Sequence, residues 1–344
     1  MSFFFGGRNV AWLCTVLSCF AAGFSAQAQS SDDFYRGKTI RMIIGYGPGG
    51  GYDLYGRVAA EFLGQFIPGN PTIVPQNMPG AGSSVAAKYM QDVAPRDGTA
   101  LGSLVQSLAL DTVTGSATGF DVTRFHYIGR LTTNIDVGIG KAGAPIKSFE
   151  DARRRELTVG LTGGSSPAVL LPIALATYAG ARFKMVRGYQ GIADILLAVE
   201  RGEVEVAGAG GLAGFMVSHP TWITRHEAPI LYQAALKRHA LLPDVPTIVE
   251  LTLDDEGRQV MSALASTAEI GRSIIAPPGV PSERLALLRA AFQKMVTDKG
   301  FLAMAEKRNL MIDPATGEAM DVIARDTLRM PKPIVDKVAA LLKM

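Results

Sequence analysis

The chain has 344 residues, of which 48% are apolar, and its formal net charge is +3. The 34 basic residues are nearly balanced by 31 acidic ones, which excludes a nucleic-acid-binding protein that relies on excess positive charge. The length suits two domains of ordinary size, and the apolar content is sufficient for two cores.

The N-terminal residues have the pattern of a secretory signal peptide. Arg8 precedes an apolar run from Val10 to Phe24, and Ser25-Ala26-Gln27-Ala28 supplies the small-x-small pattern that signal peptidase cleaves. We therefore predict that residues 1–28 are removed after Ala28 and that the mature protein lies in the periplasm. No later segment is long and charge-free enough to cross a bilayer, so we predict a mature protein that does not span the membrane.

Both cysteines, Cys14 and Cys19, lie within this leader. The run Val16-Leu17-Ser18-Cys19 loosely resembles a lipoprotein cleavage box, but Leu17 is bulky for its place and the apolar stretch continues beyond Cys19. The sequence therefore favours an unanchored exported protein over a lipid-anchored one. A mature chain without cysteine excludes disulfides, thiolate catalysis and cysteine-bound metals.

The first part of the mature chain alternates strand and helix patterns. The order is a strand at Thr39 to Ile44, a glycine-rich loop at Gly45 to Asp53, a helix at Leu54 to Phe66, a strand at Pro71 to Val74, a second glycine-rich turn at Asn77 to Ser84, a helix at Val85 to Val93 and a strand at Ala100 to Val105. This βαβαβ order predicts a largely parallel sheet with ligand-binding loops at the carboxyl ends of its strands.

The same pattern restarts further along. The predicted elements are a strand at Asp136 to Ile139, a short helix at Ser148 to Arg155, a strand at Leu157 to Leu161, a glycine-serine turn at Thr162 to Pro167 and a helix at Ala168 to Ala179. Ser166 fits a helix N-cap, and Pro167 fits the first helical position. Each half of the chain thus has a glycine-rich turn from a strand into a helix.

Such a turn exposes backbone N–H groups at the positive end of the helix dipole, which makes it a candidate anion site. We predict that an anionic group of a ligand lies on the N–H groups of Gly49, Gly50 and Gly51. Ser165 and Ser166, with the N–H groups around Gly163 and Gly164, are predicted to close on the same anionic group or on a second one.

Nucleotide sites fit the first loop poorly. Gly45, Gly47 and Gly50 match the dinucleotide fingerprint, but Pro48 lies within it and the next strand ends in Pro75-Gln76-Asn77, with no acid for a ribose hydroxyl. The loop also lacks the Gly-Lys-Ser/Thr ending of a phosphate-binding P-loop.

Catalytic patterns are also missing. The run Gly163 to Pro167 resembles a nucleophile elbow, except that its last glycine is replaced by Pro167. The histidines are scattered without metal-ligand spacing, and they are His126, His219, His226 and His239. We therefore predict no catalytic residue, no metal and no cofactor, and that the protein is not an enzyme.

Six short motifs in a fixed order carry a family resemblance. They are Pro48 to Asp53, Asn77 to Gly82, Ala94 to Gly98, Gly188 to Gly191, Leu242 to Thr247 and Ala276 to Pro281. In these motifs the chain resembles, from about Phe34 to its C-terminus, the periplasmic solute-binding receptors of the tripartite tricarboxylate transporter (TTT) family, the Bug or TctC type.

The resemblance implies an α/β, two-lobed periplasmic-binding-protein fold of type II-like organisation. Each lobe is expected to contain a mixed, mostly parallel sheet flanked by helices, and two hinge crossovers join the lobes. The implied first lobe is discontinuous, residues 31–130 plus 233–344, and the second lobe is 131–232. Short strand-like runs at Tyr127 to Thr132 and Pro229 to Ala234 support crossovers at these places.

The residues and the resemblance together define the predicted ligand-binding set. Its members are Gly47, Pro48, Gly49, Gly50, Gly51, Tyr52, Asp53, Ala81, Gly82, Ser83, Ser107, Thr162, Gly163, Gly164, Ser165, Ser166, Gln190 and Gly191. Asp53 either contacts a hydroxyl or amine of the ligand or, as the sequence favours, is a helix N-cap that needs no ligand, and Tyr46 and Tyr52 either line the pocket or cover the end of the sheet. The small residues at Val206 to Gly211 predict a roomy pocket that is poor in side-chain donors.

We expect a monomeric transport receptor that captures a small organic acid, such as a di- or tricarboxylate. It would deliver the acid to TctA- and TctB-like membrane subunits and bind no nucleic acid. A secreted enzyme acting on an anionic substrate and a sensor subunit for a membrane kinase remain alternatives.

Overall fold

The computed structural model describes residues 33–115, 119–163 and 166–344, together with Met1. The predicted leader cleavage after Ala28 lies outside the described residues. In the described part of the chain, no helix has both the length and the apolar character that crossing a membrane requires.

The strands in chain order are β1 (Thr39–Ile44), β2 (Thr72–Asn77), β3 (Ala100–Ser103), β4 (His126–Arg130), β5 (Asp136–Gly140), β6 (Leu157–Gly160), β7 (Phe183–Val186), β8 (Val206–Gly211), β9 (Ile230–Ala234), β10 (Ser273–Ala276) and β11 (Ala315–Thr316). The helices are α1 (Gly51–Phe62), α2 (Ser84–Asp92), α3 (Leu108–Thr114), α4 (Phe149–Arg154), α5 (Pro167–Ala179), α6 (Ile192–Arg201), α7 (Leu212–Ser218), α8 (Pro220–Thr224), α9 (Asp255–Ser266), α10 (Ser282–Thr297), α11 (Lys299–Lys307), α12 (Gly317–Leu328) and α13 (Lys332–Leu341).

The strands form two mixed sheets. The first sheet has the order β11-β4-β10-β3-β1-β2, in which β1 pairs in parallel with β2 and β3 while β10 and β11 are antiparallel to their neighbours. The second sheet has the order β7-β6-β8-β5-β9, in which β6 is parallel to β7 and β8 while β5 is antiparallel to β8 and β9. This α/β architecture of two mixed sheets confirms the predicted fold class, but the prediction that each sheet is mostly parallel is wrong, because parallel pairs are not the majority in either sheet.

The first strand and helix show how the local sequence determines these elements. The strand β1 has the predicted bounds, and its buried apolar residues Ile40 and Met42 to Ile44 fit a central position between β2 and β3, while Thr39 and Arg41 are exposed. Helix α1 begins three residues before the predicted start, because the last glycine of the loop already has helical geometry and Gly50 is the N-cap. A short 3₁₀ turn over Leu63–Phe66 completes the predicted helical segment.

Three apolar clusters hold the structure together. The first lies around the first sheet and includes Ile40, Tyr55 and Phe292. The second covers one face of the second sheet with helices α5, α9 and α13, and the third covers its other face with α6 and α7. Helices α9 and α13 follow β9 in the sequence, yet they pack with the second sheet through Met261 and Val338.

Two chain segments run between the sheets, and they are hydrogen bonded to each other. Leu131 donates its N–H to the carbonyl of Arg272 at 2.9 Å, Arg272 donates to the carbonyl of Thr132 at 2.8 Å, and Asn134 donates to Ala268 at 3.0 Å. The sequence placed the second crossover at Pro229 to Ala234, whereas that run forms the buried strand β9. The return crossing comes later, after α9, because β9 pairs with β5 inside the second sheet.

Candidate functional site

A cleft of about 460 Å³ lies between loops that follow strands of the two sheets. Ten residues of the predicted ligand-binding set line it, namely Gly47, Pro48, Gly49, Gly50, Gly51, Tyr52, Asp53, Thr162, Gln190 and Gly191. The loop after β1 forms one side of the cleft, and the starts of α5, α6 and α7 form the other. The structure therefore brings the first glycine-rich loop and both predicted second-sheet loops to one place.

The second glycine-rich turn contributes Pro79 to the lining of the cleft, while its predicted ligand-binding residues lie beside the cleft. A Cβ on Gly82 would lie 2.7 Å from the carbonyl oxygen of Gly163 and 3.2 Å from the nitrogen of Ser166, so this turn packs against the facing loop of the second sheet. Ser83 is buried, and its Oγ accepts a hydrogen bond from the N–H of Val105 at 3.4 Å. Ala81, Gly82 and Ser83 thus support the walls of the cleft.

The remaining predicted residues fall into three groups. Ser107 is a buried N-cap of α3, outside the main cleft, and its Oγ has no hydrogen-bond partner among the described residues. Ser166 shares a hydrogen bond between its hydroxyl and that of Thr162, while Gly163 is not part of the lining. Gly164 and Ser165 lie outside the described residues.

Two helix starts in the cleft already hold a carboxylate of their own. The N–H of Gly49 donates to Oδ2 of Asp53 at 3.0 Å, and the N–H of Gln190 donates to Oδ2 of Asp194 at 3.2 Å. Asp53 is the third residue of α1 and reaches back to the loop, while Gly50 is the N-cap. The N–H of Gly49, which is predicted to bind a ligand, therefore already donates to a side chain of the helix that follows it.

Asp53 also fixes the two glycine-rich loops of the first sheet to each other. Its Oδ1 accepts hydrogen bonds from Nε of Arg57 and from Nδ2 of Asn77, both at 2.8 Å. The same Asn77 side chain donates to the carbonyl of Tyr46 at 2.8 Å. The prediction that Asp53 is the helix N-cap is wrong, because α1 begins earlier and Gly50 is the N-cap. From the third helical position, the Asp53 carboxylate instead accepts a loop N–H and links the two loops.

Arg272 is a cleft residue that the sequence motifs did not indicate. It immediately precedes β10, is only 3% exposed, and lines the cleft. The central carbon of its guanidinium lies 3.8 Å from the centroid of the Tyr52 ring, which is a close cation–π contact. Among the described residues, no atom accepts a hydrogen bond from its Nε or Nη1.

Two glycines make room for this guanidinium. A Cβ on Gly211 would lie 2.1 Å from Nη2 of Arg272, and a Cβ on Gly51 would lie 2.8 Å from the same atom. The small residues at Val206 to Gly211 predict a roomy pocket that is poor in side-chain donors. The structure shows instead that part of this space is occupied by a donor from a distant segment.

Asp136 lies at the floor of the cleft, beside Arg272. Its Oδ2 accepts hydrogen bonds from Nε2 of Gln106 at 3.0 Å and from Nδ2 of Asn134 at 3.2 Å. Burial raises the pKa of Asp136 to about 6, against the opposing effects of the positive charge of Arg272 and the hydrogen bond from Asn134. This carboxyl group is therefore held in a site where its charged form is penalised.

Tyr46 and Tyr52 both line the cleft, so the pocket-lining alternative describes their position. Their rings stack with centroids 5.3 Å apart. The Tyr52 hydroxyl accepts the N–H of Gln106 at 3.0 Å, and burial raises the pKa of Tyr52 to about 12. Both rings are therefore neutral walls of the site at physiological pH.

An aromatic cluster extends from the cleft towards the surface. Phe215 lines the cleft and lies 6.5 Å from the ring of Trp222, between centroids. His219 packs on Trp222 with a centroid distance of 4.1 Å, and burial lowers the pKa of His219. Within the described ranges, no group of three or more His, Asp or Glu side chains is arranged to hold a metal ion.

Two mixed sheets, joined by two adjacent crossovers and separated by a loop-lined cleft, define a two-lobed binding protein of the periplasmic type. Comparison with known families agrees with this class. The model of the tripartite tricarboxylate transporter family receptor, TctC, matches residues 56–340. The chain belongs to this family, as the six motifs predicted.

Known proteins with similar sequences or structures are consistent with this assignment. The chain is 26% identical to the UPF0065 protein in the gbd 5′ region of Cupriavidus necator, over 92% of this chain and 93% of that protein. The structure of R. palustris Rpa4515 with adipate has a TM-score of 0.69 at 19% identity, covering 88% of this chain and 98% of that one. MatC (Rpa3494) from Rhodopseudomonas palustris with bound malate has a TM-score of 0.67 at 17% identity, covering 89% and 99%.

Proposed function

We propose that the protein is an exported receptor that captures a small organic carboxylate in the cleft, without transforming it chemically. The observation that carries this proposal is a buried guanidinium, Arg272, with unpartnered donors in a cleft lined by the loops of both sheets. Asp136 beside it offsets part of the charge, but Nε and Nη1 still lack acceptors, which a ligand carboxylate would supply. The carboxylates bound by the two R. palustris proteins support the same class of ligand.

We further propose the lobes implied by the family, with one refinement. The first lobe comprises residues 31–130 and the part of 233–344 that follows the return crossing, apart from α13, and the second comprises 131–232 together with the rest of β9 and the chain through α9. Helices α9 and α13, which share a cluster with the second sheet, would move with the second lobe. Closure would then occur about the paired segments at Leu131 to Asn134 and Ala268 to Arg272.

In the cell, cleavage after Ala28 would release the receptor into the periplasm as a monomer. The liganded form would deliver its carboxylate to TctA- and TctB-like membrane subunits of a TTT transporter. The family described by the matching model is named for this transport role, which supports the proposal.

Thermal unfolding in the presence of small acids tests the proposal. A ligand present at a hundredfold excess over its dissociation constant stabilises the folded state by about 2.7 kcal/mol. We expect at least one acid from a panel of mono-, di- and tricarboxylates to raise the melting temperature, while the matched amides and alcohols do not. Folded protein that responds to no carboxylate, or that consumes the bound acid, would contradict the proposal.

A further inference from the structure

The charges that line the cleft are unevenly distributed. The basic residues in the described lining are Arg57 and Arg272, and the acidic ones are Asp53, Asp136 and Asp194. Arg57 is already engaged, because its Nε donates to Asp53 at 2.8 Å and its Nη2 donates to Asn77 at 2.7 Å. Arg272 is the buried cation of the described lining, and its Nε and Nη1 lack an acceptor among the described residues.

The helix starts offer little for a second negative charge. The carboxylates of Asp53 and Asp194 lie in the first turns of α1 and α6, where they offset the positive ends of both helix dipoles. Each also occupies a loop N–H, of Gly49 or of Gln190. A second ligand carboxylate would therefore meet acidic side chains at these two places.

The rest of the cleft favours an apolar ligand body. Leu54, Ile192, Leu196, Phe215 and Val217 contribute to the lining. Asp136, beside Arg272, repels every ligand carboxylate when it is ionised, and a dicarboxylate brings two such charges into the cleft. Like charges brought together in a desolvated site oppose binding strongly.

We propose that Arg272 binds the carboxylate of the ligand, and that the cleft selects a monocarboxylate with an apolar body over a dicarboxylate of equal length. This inference rests on the proposed function and makes its ligand class specific. The fork of the guanidinium suits a carboxylate because two N–H groups donate in parallel. The contact with Tyr52 and the space left by Gly51 and Gly211 hold the fork in place.

Pairs of acids that differ only in the second carboxylate test the selectivity. Isothermal titration calorimetry of the purified protein would compare hexanoate with adipate, and benzoate with terephthalate. We expect the monocarboxylate of at least one pair to bind about tenfold or more tightly than its partner, and neither dicarboxylate to bind better than its monocarboxylate. Adipate or terephthalate binding as tightly as its partner, or more tightly, would overturn the proposal.

Substitutions test the role of Arg272. We expect Arg272→Met to reduce the affinity for the monocarboxylate by about tenfold or more. Arg272→Lys keeps the positive charge but loses the two parallel N–H donors, so we expect it to reduce the affinity less. Arg258→Met is the control, because this arginine is exposed, pairs with Asp255 at 3.6 Å and lies outside the cleft lining. Full affinity in a folded Arg272→Met variant would overturn the proposal. If that variant does not fold, the comparison of Arg272→Lys with the wild type decides, and equal affinity is the contradicting result.

Different experimental results contradict the proposed function and the inference about Arg272. If no acid in the panel raises the melting temperature, both the proposed function and this inference are contradicted. If di- or tricarboxylates bind and substitution of Arg272 does not change their affinity, only this inference is contradicted, and the protein is still a carboxylate receptor. Asp136→Asn adds an independent readout, since loss of its charge is expected to narrow the affinity gap between hexanoate and adipate.

Discussion

Asp136 is a buried carboxyl group in the lining of the cleft. The charged and titratable groups that face it are Arg272, Tyr46, Tyr52 and Tyr232. The tyrosines are neutral at physiological pH, because burial raises the pKa of each of them. The protonation of Asp136 is therefore balanced between desolvation and the single positive charge of Arg272.

This balance predicts a pH-dependent stability term. The pKa of Asp136 rises from 3.8 in the unfolded chain to about 6 in the folded protein, so the folded state binds the proton more tightly. Its ionisation therefore disfavours folding above about pH 6 by about 3 kcal/mol, and the penalty disappears as the pH falls towards about 4. We expect Asp136→Asn to stabilise the protein near neutral pH and to lose this advantage in acid. Urea unfolding of both proteins from about pH 4 to about pH 8 measures the difference, and a difference independent of pH would contradict the assignment.

In the connection from β1 to α1, Gly45 is required because a side chain there would collide with a neighbouring residue, and not because of its backbone angles. A Cβ on Gly45 would lie 1.6 Å from Oγ of Ser83 and 2.8 Å from its Cβ, so the two loops touch at this glycine. Gly47, two residues later, has no atom within 4 Å of such a Cβ. The same loop therefore contains one crowded and one open glycine.

We expect Gly45→Ala to destabilise the protein by about 1–3 kcal/mol, because the short Ser83 side chain is buried and cannot move away. Gly47→Ala is the matched control and is expected to change stability by less than about 0.5 kcal/mol. Chemical unfolding of the two variants against the wild type provides the comparison. Equal effects of the two substitutions would show that the loops are not packed at Gly45.

Individual elements followed from the sequence because their signals are local. An apolar run determines β1, and the Ser166-Pro167 pair determines the start of α5. Arg272 did not follow, because its environment is built from Gly51, Tyr52 and Gly211, which lie far from it in the chain. The packing of α9 and α13 on the second sheet likewise depends on which apolar faces meet in space, and helical periodicity alone does not specify the partner.

At the scale of the whole molecule, the contact between facing loops is as important as the crossovers. Gly82 has a φ of +59° and meets Gly163 and Ser166 of the opposite loop. Gly143 has a φ of +72° with no atom within 4 Å of an added Cβ. The two positions share the left-handed backbone conformation, but only Gly82 lies between the two sheets.

We expect Gly82→Ala and Gly143→Ala to lose a similar stability, about 1 kcal/mol, from the strained backbone. Gly82→Ala should in addition hold the facing loops apart, which increases the radius of gyration in small-angle X-ray scattering and weakens binding of the receptor's ligand. Scattering curves of the two variants that superimpose would argue against a loop contact that controls closure.

The aromatic cluster behind Phe215 has a practical consequence for studying this receptor. The chain contains two tryptophans, Trp12 in the predicted leader and Trp222 in this cluster. After export, all of the tryptophan fluorescence would thus come from Trp222. Its ring contacts His219 and is separated from the cleft by the ring of Phe215. The unmodified protein therefore carries its own optical reporter, and occupancy of the cleft can be followed without attaching a dye.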